Sequence, residues 1–184
     1  EYYTDQERVM HISSYWWPVE NSIVPETFFL RVPSSWGWAT WSRAWCCFDK
    51  NPQVLLNSFS AEEIRKFNLD DSNDFWEQVV HNSNGKANTW AIFWYATIFR
   101  NNGLCLYPSR SLTHNSGLDD TGVHCLKTSK YSVDLYESRI ETFSDDINEN
   151  VIALSLLKDF YRKNRISRLR RFVVVICQRF GFSL

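Results

Sequence analysis

Ser34-Ser35-Trp36-Gly37-Trp38-Ala39-Thr40-Trp41-Ser42-Arg43-Ala44-Trp45 gathers four tryptophans around one glycine within twelve residues. Each indole needs a large apolar pocket and a partner for its N–H. The stretch is therefore either a dense corner of the core or an aromatic wall turned toward a ligand. Gly37 serves both readings, because it lets the backbone take a positive φ or lets another segment approach closely between two bulky side chains. By spacing, Trp38, Trp41 and Trp45 fall at i, i+3 and i+7, one stripe of a short helix packed inward. The functional reading is a sugar-stacking platform, in which an indole face meets the C–H face of a pyranose while Ser35 and Thr40 address its hydroxyls. The two agree if Trp36 faces the site and the later tryptophans face the core.

Upstream of this stretch, Arg8-Val9-Met10-His11-Ile12 reads as a strand leading into a loop stopped by Pro18. Thr27-Phe28-Phe29-Leu30-Arg31-Val32 reads as a second strand, closed by Pro33, that delivers the chain into the tryptophans. Strand ends are where open α/β sheets carry function.

Downstream, the punctuation is helical. Asn51-Pro52 starts one helix, and Ser60-Ala61-Glu62-Glu63 is a capping-box pattern opening another. Asp74 to His81 repeats the logic with Phe75 and Val79 on one face, ended by Asn82-Ser83-Asn84-Gly85. Asn88 or Thr89 is expected to cap Trp90 to Phe99, whose length favours a buried helix over a strand. Leu104-Cys105-Leu106-Tyr107, before Pro108, is a third strand. The turn-rich loop from Asn115 through Asp119, Asp120 and Gly122 to His124 is either a solvated connection or an oxygen-and-imidazole site for a divalent ion or a phosphate.

Asp146-Ile147-Asn148-Glu149 is a capping-box-like start for Ile147, Val151, Leu154, Leu157 and Tyr161 at helical spacing. A second stripe, Ile166, Leu169, Val173, Ile176 and Phe180, follows a basic break. Eight Lys or Arg lie between Lys158 and Arg179 against the single acid Asp159. Such a segment is either a basic cap on the domain or a helix lying on an anionic membrane surface.

The 184 residues suit one ordinary domain, divided here into a body at 1–143 and a basic amphipathic helical tail at 144–184. A formal net charge of −1 argues against nucleic acid as a partner. The five cysteines lack CxxC spacing and signal neither zinc nor a disulfide framework, which points to a reducing, cytoplasmic setting. No apolar run is long enough to span a bilayer. The first residue, Glu1, leads to the expectation that the chain is a piece of a longer polypeptide.

Four segments, in order, resemble a family of bacterial sugar transferases related to family 2 glycosyltransferases and used in surface-polysaccharide assembly, lipopolysaccharide included. They are Val9 to Tyr15; Pro25 to Leu30 with Ser35-Trp36-Gly37-Trp38-Ala39-Thr40-Trp41; Thr89 to Tyr95; and Leu106 to Leu112 continuing through Asn115 and Gly117 to His124. The match covers Arg8 to Cys125 and leaves the basic tail uncovered.

The resemblance implies an α/β fold of GT-A type, a mixed sheet with flanking helices, of which this chain is the C-terminal, acceptor-side half. It implies a nucleotide-sugar donor, a saccharide or lipid-linked acceptor, a divalent ion (Mn or Mg), and a place in the cytoplasm, peripheral to the inner face of the membrane. Trp36, Gly37, Trp38 and Trp90 are the expected substrate-binding residues, and His124, Asp119 and Asp120 the expected metal ligands. No D-x-D element precedes Val9, so the donor-binding half is expected to lie elsewhere and the chain alone to be inactive.

Two departures bear on mechanism. Asn88 stands where such enzymes often carry an acid, and Phe93 where they often carry an arginine. Glu77 is then the expected catalytic base, since deprotonating an acceptor hydroxyl needs a carboxylate within hydrogen-bond reach. From other classes come a non-catalytic carbohydrate-binding module using the same aromatic surface and a membrane-surface adaptor built on the tail.

Overall fold

The computed structural model describes residues 1–20, 23–119 and 129–164, with 118 and 119 described by backbone alone. A mixed four-stranded sheet carries the molecule, in the order β2-β4-β1-β3. Its strands are β1 (Val9–Ser13), β2 (Thr27–Leu30), β3 (Trp38–Ala39) and β4 (Leu104–Pro108). β1 and β4 run parallel, while β2 pairs antiparallel with β4 and β3 antiparallel with β1. Six α-helices appear among the described residues: α1 (Ser42–Trp45), α2 (Pro52–Ser58), α3 (Ala61–Phe67), α4 (Trp76–Ser83), α5 (Ala91–Arg100) and α6 (Val151–Asn164). The α/β class and the three strands and first helices expected from sequence are thus present. The tryptophan stripe is not, because β3 takes Trp38 and the helix of this stretch is only Ser42–Trp45.

Alternation along the strands splits the interior into two layers. Phe28, Leu30, Cys105 and Tyr107 face the large core with α5 and α6, and Phe29, Leu104 and Leu106 face a smaller cluster with Tyr3 and Val9. In β1 the register shifts between Val9 and His11, so that Val9 pairs with Leu104 and His11 with the next residue, Cys105. A bulge of this kind adds a residue and resets which face the following side chain takes. It turns His11 toward the large core, beneath the tryptophans, instead of leaving it on Val9's side.

Local chemistry explains the helix ends. Asn51 caps α2 through its side-chain oxygen with Pro52 in the first turn, and Ser60 and Glu63 form the reciprocal capping box of α3. Asp74 accepts from the Glu77 backbone N–H at 3.1 Å at the start of α4. The expected cap of α5 differs: neither Asn88 nor Thr89 caps it, since Asn88 accepts from Lys50 and Thr89 pairs with Asn82. The expected box at Asp146–Glu149 also differs. Asn150 supplies the cap, accepting from Ala153 N–H at 2.9 Å, while Glu149 forms an ion pair with Arg31.

α6 buries Ala153, Leu154, Leu157 and Phe160 in the large core and is tied to β2 by Asn150 N–H donating to Phe29 O at 2.8 Å. Val151, assigned to the apolar stripe by spacing, is instead 75% exposed. The apolar face of this helix is occupied by the domain, and the second stripe expected from sequence, Ile166 to Phe180, lies outside the described residues. No helix among the described residues is long and apolar enough to cross a membrane.

Candidate functional site

Gly37 has φ +61°, and a Cβ built on it would lie 2.2 Å from Ser14 Oγ and 2.8 Å from a Thr113 methyl. Both reasons for a glycine therefore hold at once, a left-handed backbone and a close approach. The Gly37 carbonyl accepts from Ser14 N–H at 2.8 Å and from Ser14 Oγ at 2.6 Å, which pins the turn to the end of β1.

The turn sends its two neighbouring indoles to different surroundings. Trp36 packs edge-on against Tyr15, with centroids 4.7 Å apart, and against Tyr131 at 5.5 Å. Trp38 stacks on His11 at 5.3 Å with 10° between planes, and on Trp90 at 5.2 Å with 29°. Trp45 joins Trp38 at 5.8 Å and Trp94 at 5.1 Å, and stacks on Phe48 at 4.6 Å. The exposed indoles of this group are Trp45 (40%) and Trp90 (39%), so Trp38 is their support.

Below the exposed rings the polar groups are satisfied. Trp94 Nε1–H donates to His11 Nδ1 at 3.0 Å, which leaves the proton on Nε2 to be donated to Ser34 O, also at 3.0 Å. Burial disfavours the imidazolium and pushes the His11 pKa down from 6.5 to about 4, although the Ser34 carbonyl opposes the shift. The ring is a neutral, fixed strut.

Beside Trp90 opens a cleft of about 100 Å³, walled by Pro33, Phe75, Ile92 and Trp94, with Ser35 and Gln78 as polar lining. It lies between the ends of α4 and α5, where the exposed rings meet solvent. An arrangement of rigid indole faces with a few hydroxyl and amide groups can desolvate the apolar face of a polyol while bonding its rim.

Of the residues expected from sequence, Trp38 and Trp90 are brought together and Gly37 builds the turn between Trp36 and Trp38. Trp36 lies on the other side of that turn. Glu77 stands on α4 next to Gln78 but does not line the cleft. Asp119 ends a 3-10 turn at Ser116–Asp119, and its side chain, with Asp120 and His124, lies outside the described residues. Among the described residues no group of three or more His, Cys, Asp or Glu is placed to hold a metal ion. Sequence reasoning missed His11 and Trp45. His11 carried no signal beyond a strand position, whereas Trp45 lay within the opening stretch and was assigned inward. Comparisons with protein-family models, curated proteins and solved structures return no match.

Proposed function

We propose that this chain is the acceptor-side part of a GT-A-like glycosyltransferase whose saccharide rests on the face built by Trp38, Trp45 and Trp90. The observation that carries the reading is the pair of exposed indoles packed on the half-buried Trp38 beside a small polar-rimmed cleft. In the transfer, an acceptor hydroxyl attacks the anomeric carbon of a nucleotide-sugar, the diphosphate leaves, and a carboxylate takes the hydroxyl proton. Glu77 is the proposed base, one position from the cleft residue Gln78. The same proposal includes a divalent ion, Mn or Mg, held by Asp119, Asp120 and His124, a lipid-linked acceptor, and an anionic membrane surface as partner of the basic tail.

A second reading, a non-catalytic carbohydrate-binding module, is favoured by one feature: among the described residues, those lining the cleft include no carboxylate. Calorimetric titration with a saccharide and with an intact nucleotide-sugar separates the two. The glycosyltransferase reading expects the nucleotide portion to add affinity in the full-length enzyme, and equal affinity for the free saccharide and the nucleotide-sugar there would favour the module.

A further inference from the structure

A second, larger cavity of about 520 Å³ lies where the parallel strands β1 and β4 end. The chain leaves β1 into Trp16 and Trp17 and leaves β4 into Ser109, Arg110 and Ser111, and the crevice opens between these exits. In open sheets this is the carboxyl-end crevice where ligands are bound. Its outer wall is the 132–136 segment, fixed by Tyr136 N–H donating to Ser111 O at 2.8 Å. On the inner side Ser111 Oγ accepts from Trp16 N–H at 3.1 Å. The cavity is separate from the tryptophan face and shares no residue with the cleft beside Trp90.

Arg110 sits with its guanidinium over the Tyr136 ring, 5.2 Å from the centroid. Among the described residues no hydrogen bond or ion pair engages its N–H donors. Asp134, two residues before Tyr136 on the same segment, is exposed and is not paired with Arg110 among the described residues. The cavity thus offers an anion-binding fork, a carboxylate suited to accepting from hydroxyls, the serine hydroxyl of Ser132, and the apolar surfaces of Trp17 and Leu135.

We infer that this cavity binds a sugar phosphate or similar polyol phosphate, with Arg110 on the phosphate and Asp134 on the hydroxyls. The inference stands apart from the saccharide reading of the tryptophan face. Calorimetry on the full chain at fixed ionic strength, with glucose 1-phosphate, inorganic phosphate and glucose as probes, tests it. The expected result is that glucose 1-phosphate binds and inorganic phosphate binds more weakly. Arg110→Gln should weaken both phosphates by about tenfold or more, the range of one charge-assisted contact. Asp134→Asn should weaken glucose 1-phosphate alone. Both charged side chains are exposed, so these variants are expected to fold. Unchanged affinity in Arg110→Gln, unchanged affinity for glucose 1-phosphate in Asp134→Asn, or the absence of binding by either phosphate would overturn the inference.

Discussion

Trp94 donates its indole N–H to Nδ1 of His11 across 3.0 Å, and that one bond fixes both the tautomer of the imidazole and the plane on which Trp38 stacks. Helix α5 and strand β1 are joined there, beneath the exposed rings. The bond requires a neutral histidine, because the imidazolium has no lone pair to accept with.

A pH dependence follows. The folded pKa of His11 is held at about 4 against an ordinary 6.5, so between those values the unfolded chain takes up a proton that the folded chain refuses. The contribution is complete above the ordinary value and is lost as pH falls through that window, amounting to about 3 kcal/mol across it. His11→Phe should therefore be less stable near neutral pH, since it leaves the Trp94 donor and the Ser34 acceptor without their partner, and its stability should fall less on acidification. Urea midpoints at about pH 7 and about pH 5 check this. An equal fall in both proteins would contradict it.

Gly37→Ala should cost about 1–3 kcal/mol, since a Cβ meets φ +61° and an atom of Ser14 within 2.2 Å. Denaturant unfolding measures this directly. A loss no larger than that of an exposed glycine-to-alanine change such as Gly85→Ala, where φ is +73° but nothing lies within 4 Å, would show that the packing at Ser14 and Thr113 does not matter.

The caps of α2 and α3 and the strands β1, β2 and β4 were legible in the sequence because their causes are local. Asn51-Pro52 and the Ser60–Glu63 box satisfy backbone groups within a few residues, and Thr27 to Leu30 needs only its β-favouring side chains. The tryptophan face was legible in composition but not in arrangement. Trp38, Trp41 and Trp45 keep helical spacing, yet Trp38 pairs as a strand with Ser13, a long-range contact that no periodicity records. His11 reaches the site only through a bulge, and a one-residue register shift leaves no mark in the run Val9-Met10-His11-Ile12.

Trp36 and Trp90 should respond oppositely to truncation. Trp36→Ala removes a ring wedged between Tyr15 and Tyr131 and is expected to cost about 2–4 kcal/mol of stability. Trp90→Ala removes a ring that is 39% exposed, so its stability loss should be smaller and its effect on saccharide binding larger. Thermal unfolding of both variants, with binding measured on each, separates support from contact. Equal stability losses with binding unchanged in both would assign the whole cluster to the core.

The most direct measurement is a saccharide titration of the full chain followed through the indole N–H resonances, repeated in Trp45→Ala and Trp90→Ala. The account predicts that the signals of Trp45 and Trp90 move on addition of saccharide while that of Trp94, bonded to His11, holds, and that each variant weakens binding about tenfold. Saccharide that shifts none of these signals, or binding that survives both substitutions unchanged, would contradict it.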